Sequence, residues 1–235
     1  IDLAESKRQV LMKVRAMQAL SCVAFCICTE VTMNYLKYLT EEIHSTVMAT
    51  VDENGLPVTC AIDIMDCDEN GLYFLTARGK NFYARLKRDG YVSLTGMKGT
   101  YTLSCVAISV SGRVEEVGSD YLNRLFEKNR YMYEIYPTKE SHKALTVFRI
   151  YDGCGEWFDL SKKPIERASF SFGNGIKTVD GYYITDKCIG CKKCIEVCPQ
   201  SCIDFTNGYT RIIQSSCLHC GNCFNICPVK AVEKL

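Results

Sequence analysis

Residues 188–199 read CIGCKKCIEVCP, and residues 217–228 read CLHCGNCFNICP. Both stretches set four cysteines at gaps of two, two and three residues, with a proline after the last. A cubic [4Fe–4S] cluster needs four thiolates around one small object. Short gaps let a tight loop offer three sulfurs to three iron corners. The longer gap carries the fourth cysteine the other way, into a helical turn.

This doubled run resembles the one in bacterial two-cluster ferredoxins, where the fourth cysteine of each run binds the other cluster. The resemblance implies Cys188, Cys191, Cys194 and Cys227 as the ligands of one cluster, and Cys217, Cys220, Cys223 and Cys198 as those of the other. A zinc ribbon would use separated cysteine pairs instead. Disulfides are disfavoured by the tight spacing, and no ligand of either set is missing. Gly190 and Gly221 sit inside the loops, where the backbone must pass close to a cluster. Ile189, Ile195, Ile203, Ile212 and Ile226 are expected to shield the clusters from water. Cys202 falls outside the spacing and reads as a small core residue. His219, between two ligands, reads as a surface or neighbouring side chain rather than an iron ligand.

The remaining composition narrows the class of protein. Of 235 residues, 47% are apolar and 23% charged, enough to build a packed core. The 28 basic and 27 acidic side chains leave a net charge of +1, so nothing drives the chain toward nucleic acid or an acidic membrane surface. No run of about 18 apolar residues suggests a membrane-spanning helix.

Four segments are expected. Residues 1–32 carry Lys7, Arg8, Lys13 and Arg15 ahead of an apolar run and form an N-terminal extension. Three readings of it stay open: a dispensable extension, a genuine extra helix, or a targeting segment. Residues 33–160 form a β-rich domain, 161–180 a packed connector, and 181–235 the ferredoxin unit. In the β-rich part, strands are expected at 45–51, 58–65, 72–76, 91–95, 103–117, 145–151 and 156–159. Two Asp-Glu-Asn-Gly stretches, at 52–55 and 68–71, read as turns. Asn81–Arg88 reads as a short helix and Ser119–Tyr133 as an amphipathic one.

The text "HSTVMATVDENGLPVTCAIDIMDCDENGLYFLTARGKNFYARLKRDGYVSL" (44–94) and "ISVSGRVEEV" (108–117) resembles the FMN-binding split β-barrel of the pyridoxamine 5′-phosphate oxidase-like superfamily. "GEWFDLSKKPIERASFSFG" (155–173) resembles the closing strand and tail of members that carry a C-terminal ferredoxin. The fold class expected is therefore α+β: a split β-barrel followed by a small ferredoxin-like 2[4Fe–4S] domain. The resemblance implies a homodimer with FMN in the groove between subunits. It implies that Thr76, Ala77, Arg78, Gly79, Lys80 and Asn81 surround the FMN phosphate. A dianion at the start of the Asn81–Arg88 helix would meet charged donors and free backbone N–H groups together. The ring is implied to lie along Cys60, Ala61, Ile62 and Asp63. True pyridoxamine phosphate oxidases carry basic residues along that strand. Here Cys60 and Met65 stand near those places, so that substrate is not expected.

Clusters pass single electrons, and flavin handles one or two. The expected function is an iron–sulfur flavoprotein oxidoreductase. It would pass electrons between two [4Fe–4S] clusters and FMN to reduce or oxidise a small organic substrate. Its partners would be a second copy of the chain and an external electron donor or acceptor such as a ferredoxin, with no nucleic acid and no membrane. A non-catalytic electron-transfer protein and a flavin-binding redox sensor remain as alternatives. No catalytic acid or base is nominated. Tyr101, Arg113 and His142 are groove candidates, but packing or surface roles suit each better. Cys60 is the spare thiol nearest the expected ring, and Trp157 and Phe158 read as core. Oxygen-labile clusters point to a prokaryotic cytoplasm.

Overall fold

The computed structural model describes residues 34–177, 180–206 and 208–235, so the three readings of residues 1–32 lie outside the described residues. From Tyr35 onward the chain forms one compact unit. Among the described residues no helix is long and apolar enough to cross a membrane.

A helical turn, Tyr35–Tyr38, leads through a π-helical turn, Leu39–Ile43, into an antiparallel sheet. Its strands are β1 (Ser45–Val51), β2 (Pro57–Asp63), β3 (Asp66–Asp68), β4 (Gly71–Ala77), β5 (Tyr91–Lys98), β6 (Val106–Gly118), β7 (Leu145–Asp159) and β8 (Glu166–Phe172). The order is β2-β1-β5-β6-β7-β4-β3, with β8 also on β7. Strand β7 changes partner along its length. Leu145–Ile150 pair with β4, and Gly153–Asp159 pair with β8. On its other side β7 follows β6, with register shifts between Ser111 and Arg113 and between Glu116 and Gly118. Such bulges bend a strand and increase its twist, which is how one sheet curls into a barrel.

Alternation along these strands fills the barrel. Met48, Leu72, Phe74, Leu94, Ile108, Phe148, Ile150 and Trp157 form one buried cluster. The other faces of β4 and β7 supply Tyr73, Leu145 and Val147 to a second cluster, roofed by Leu122, Leu125, Phe126 and Met132. Each such large apolar side chain contributes about 1.5–3 kcal/mol by leaving water. The roof is pinned by charge as well. Asp66, almost wholly buried, receives Arg124 and Lys128, and Arg124 also reaches Asp68 at 3.1 Å.

Three expected elements differ. The helix expected at 119–133 is two helices, Leu122–Lys128 and Met132–Ile135. Asn129 ends the first, its Nδ2 donating to the carbonyls of Met65 and Leu125 at 2.9 and 2.8 Å. The strands expected at 145–151 and 156–159 are one. Asp152-Gly153 carries turn letters, but β6 pairs on both sides of it, and tertiary pairing overrides the local signal. The segment 161–180, expected as a connector, contains β8, whose seven residues pair with β7.

The C-terminal part consists of two crossed ribbons. β9 (Tyr182–Ile184) pairs with β12 (Val232–Lys234), and β10 (Ile203–Thr206) pairs with β11 (Tyr209–Ile212). Short helices Lys193–Glu196 and Asn222–Ile226 follow the cysteine loops. The two halves repeat at an offset of 29 residues (188 to 217) down to single dihedrals. Positive φ values recur in the pairs Gly190 and His219, Lys192 and Gly221, and Ser201 and Lys230. Each loop thus needs two left-handed residues, and each supplies glycine at only one of them. His219 and Lys192 hold their conformation at a cost of about 1–3 kcal/mol each.

Candidate functional site

The cysteine loops ring two hollows. One is lined by Cys188, Cys191, Cys194 and Cys227. The other is lined by Cys198, Cys217, Cys220 and Cys223, with Cys202 beside them. The fourth cysteine of each run crosses to the opposite hollow. The crossing follows from the ribbons, since β9 returns to pair with the strand after Cys227. Among the described residues, no three metal-ligating side chains close on one point as they would around a single ion. Four thiols around a hollow suit a cluster better than a lone ion. Backbone N–H groups already turn toward the sulfurs: Ala231 donates to Cys227 Sγ at 3.2 Å and His219 to Cys217 Sγ at 3.4 Å.

Cys202 is buried, as expected of a core residue, but its Sγ lies 3.4 Å from that of Cys198. Its repeat equivalent is Ala231, so among the described residues only one hollow carries a fifth thiol. His219 is half-buried. Burial, helped by Arg167, lowers its imidazole below the ordinary histidine range.

The residues expected around FMN lie on β2, at the end of β4 and at the start of the Asn81–Asp89 helix. β2 pairs only with β1 among the described strands, so its outer edge offers unpaired backbone groups. Cys60 and Ile62 turn toward the core, while Ala61 is exposed and Asp63 half-exposed. Burial pushes the Cys60 thiol up, against a pull from Arg85 and Lys80. The strand and the helix start are thereby close enough to interact. Thr76 and Ala77 end β4, and Arg78, Gly79, Lys80 and Asn81 are exposed beyond it. Thr76 Oγ1 is buried without a hydrogen-bond partner, an orphan that a bound polar group would satisfy. Lys80 and Asn81 are open to an anion, and a groove beside them is lined by Asn81, Arg85 and Arg88 together with Asp52 and Glu53. This donor set fits a phosphate and the edge of a flat polar ring.

Arg78 departs from its expected role. Its Nη1 donates to the carbonyls of Lys143 and Leu145 at 3.0 and 2.8 Å, and its Nε lies 3.7 Å from Glu116. It locks β4 to β7 rather than standing free. Glu116 is a hub that the sequence did not reveal. Thr146 Oγ1 donates to it at 2.7 Å, Tyr83 OH at 3.1 Å, and Lys87 Nζ pairs with it at 3.1 Å. Arg85, whose Nε donates to Thr50 Oγ1 at 2.8 Å, was also missed. Its place on the face of Asn81–Asp89 nearest β1 is visible only once the helix is docked.

A second missed group sits at the end of β2. Asp63 accepts from Ser45 Oγ and Tyr131 OH, each at 2.7 Å, and His44 Nε2 lies 3.0 Å from Tyr131 OH. Burial opposes the Asp63 charge, but these hydrogen bonds outweigh it and hold the carboxyl below its usual range. Burial first, then Asp63, pushes the Tyr131 phenol up. His44 has φ 65°, unusual outside glycine.

The other candidates take structural places. Tyr101 is exposed on the loop before β6, and Arg113 is exposed at a β6 bulge. His142 Nε2 lies 2.8 Å from the Tyr136 carbonyl and its ring packs on Phe126. Trp157 is core, edge-on to Tyr38, and Phe158 is half-buried on β7.

The sheet also presents an uncharged outer face. One row across β2, β1, β5 and β6 runs Ala61, Val47, Thr95, Ser109; the next runs Thr59, Ala49, Ser93, Ser111. The hydroxyls pair with each other, at 2.7 Å for Ser93 and Ser111 and 2.9 Å for Thr95 and Ser109.

The chain is similar in fold to several solved structures. A NimC/NimA family protein from Clostridium acetobutylicum shares 18% identity over 59% of this chain and 90% of its own, with a TM-score of 0.49. A protein of the same organism related to general stress protein 26 shares 17% over 57% of this chain and 90% of its own, at 0.45. A pyridoxamine 5′-phosphate oxidase-related, FMN-binding protein from Nostoc punctiforme shares 11% over 62% of this chain and 100% of its own, at 0.40. No curated protein matches the chain. The family model for pyridoxamine 5′-phosphate oxidase matches residues 35–151, and that for the 4Fe-4S dicluster domain matches residues 187–231. Residues 35–151 thus form a domain of the pyridoxamine 5′-phosphate oxidase family, followed by a 4Fe-4S dicluster domain at residues 187–231.

Proposed function

We propose that the chain is an oxidoreductase that holds FMN at the barrel and two [4Fe–4S] clusters in the thiol hollows, and acts on a small organic substrate. The observation that carries this reading is the direct bonding of the two parts. Ile165 N donates to Gln200 Oε1 at 3.0 Å, and Arg167 Nη1 donates to the Cys217 carbonyl at 3.2 Å. One thiol hollow is thereby held against the barrel. Bound FMN would supply the exchange between one-electron and two-electron chemistry. The chain's own part is to bind and orient. Lys80 and the N–H groups at Asn81 face the phosphate, the β2 edge at Cys60, Ala61, Ile62 and Asp63 offers backbone groups to the ring, and Thr76 Oγ1 gains a partner.

The uncharged rows on β2, β1, β5 and β6 support a homodimer. A sheet face of Ala, Val, Ser and Thr can meet a copy of itself without desolvating charge. A redox carrier such as a ferredoxin would exchange electrons with the clusters. A sensor role gains little from the spare thiols, because burial pushes both Cys60 and Cys67 up and keeps them protonated.

The deciding experiment is purification and reconstitution without oxygen, with iron, sulfide and flavin analysis. About eight irons and one FMN per chain support the reading. About eight irons with no FMN, even after it is added, leave an electron-transfer protein without flavin chemistry.

A further inference from the structure

The 29-residue repeat allows the two hollows to be compared position by position. Around the second hollow, Cys217 is 6% exposed and its carbonyl is held by Arg167. Gln200 there is bonded to Ile165, itself buried. Among the described residues, the first hollow has no such cover. Cys188, the equivalent of Cys217, is half-buried. Val229, the equivalent of Gln200, is 37% exposed, and Ile189 beside it is 65% exposed.

Charge differs in the same sense. At the repeat positions of the first hollow stand Lys192, Lys193 and Lys230, where the second has Gly221, Asn222 and Ser201. Lys192 and Lys193 line the hollow itself, and Lys230 follows Val229 in the chain. Among the described residues, Lys193 and Lys230 form no ion pair, while Lys192 lies over the Phe205 ring at 4.5 Å. Lys187 adds a fourth cation, paired with Glu233 at 3.3 Å, where the second hollow has Ser216. Asp186 and Glu196 are the exposed acids of this surface.

We propose that the exposed surface over the first hollow is the docking site for an acidic protein that carries one electron at a time. Ile189 and Val229 form its apolar centre, and Lys192, Lys193 and Lys230 form its cationic rim. This rests on the reading that the hollows hold clusters. The hollow of Cys188, Cys191, Cys194 and Cys227 is then the outer port, and that of Cys198, Cys217, Cys220 and Cys223 faces the barrel. In the exchange the carrier loses one electron and the outer cluster gains one; no bond is made or broken and no proton moves. A lysine rim raises the encounter rate with an acidic partner, and added salt weakens that effect.

The test uses the loaded full-length chain and two reductants, a reduced acidic bacterial ferredoxin and reduced methyl viologen, a small cation. Stopped-flow bleaching gives the second-order rate for each. The rate with ferredoxin should fall at least about tenfold in the double variant Lys193→Glu, Lys230→Glu, and should fall with salt in the natural chain. Viologen should reduce the variant at least as fast as before. The variant Ser201→Glu, Asn222→Glu places the same side chains at the equivalent positions of the second hollow, and Lys193→Gln, Lys230→Gln matches its charge change at the first; the former should leave the ferredoxin rate within about twofold while the latter lowers it. An unchanged ferredoxin rate in the lysine variants, an equal loss in the two charge-matched variants, or an equal loss with both reductants would overturn the proposal. Failure of the underlying reading looks different: the natural chain would lack iron, and neither reductant would bleach it.

Discussion

Arg167 on β8 donates from Nη1 to the backbone carbonyl of Cys217 across 3.2 Å, and its Nη2 holds Glu156 on β7 at 2.9 Å. One guanidinium thus ties two barrel strands to the loop that carries three thiols of the second hollow. Its side chain is largely buried, so the bond is shielded from water. Arg167→Ala should cost about 1.5–3 kcal/mol in urea unfolding of the loaded protein. It should also speed the loss of iron from that hollow to a chelator. An iron-release rate equal to that of the natural chain would show that the joint does not support the loop.

The crossing of the ribbons predicts which thiols act together. Cys227 belongs to the second run but lines the hollow of Cys188, Cys191 and Cys194. In the reconstituted Cys227→Ala variant, those three cysteines should become open to alkylation, while Cys217, Cys220 and Cys223 stay protected. Mass mapping of the modified cysteines checks this. Exposure of the second trio instead would mean that each run serves its own cluster.

Lys80 and Arg78 are neighbours with different roles. Lys80 is exposed at the helix start, whereas Arg78 is bonded to the Lys143 and Leu145 carbonyls. Lys80→Gln should weaken FMN binding about tenfold, about 1.4 kcal/mol, with little change in unfolding. Arg78→Gln should lower the unfolding free energy by about 1–3 kcal/mol, through carbonyls left without a donor. Flavin fluorescence titration and urea unfolding of both variants separate the two effects.

Glu116 predicts a pH signature. Burial alone would raise its carboxyl, but hydrogen bonds from Thr146, Lys87 and Tyr83 outweigh burial and hold it below the ordinary glutamate range. A carboxyl lowered in the folded state stabilises the fold above its unfolded value, near about 4.3, and that stabilisation is lost as pH falls through the folded value. Glu116→Gln should therefore cost about 1–3 kcal/mol at neutral pH, and the difference should shrink in acid. Unfolding curves of both proteins from about pH 7 down to about pH 3 give the comparison. A difference constant over that range would assign the effect to packing rather than charge.

Much of the fold was legible because its signals are local. The strand at 45–51 and the helix beginning at Asn81 stand where alternation and helix-start letters put them. The failures share a cause. Asp152-Gly153 looks like a break, yet β6 runs beside both halves of β7. Glu166–Phe172 looks like a connector because its letters are mixed, yet it adds a strand beyond Gly153. In both, hydrogen bonding to distant strands outweighs what neighbouring residues favour. The groups around Glu116 and Asp63 were invisible for a related reason. Tyr83, Lys87, Glu116 and Thr146 come from four separate elements, and no short window of sequence contains them.

The sequence alone determined the two cysteine runs, since spacing within a run is a property of one loop and its turn. It also determined the class of the barrel. Only the tertiary structure decided that Arg78 is committed to the sheet while Lys80 is open. Only the tertiary structure decided that the two thiol hollows, alike in spacing, differ in surroundings. One is bonded to β8 through Arg167 and to Ile165 just before it, and the other lies among lysines. The reason is physical: spacing along the chain sets which atoms can reach one another locally, and the docking of distant elements sets which remain in contact with water.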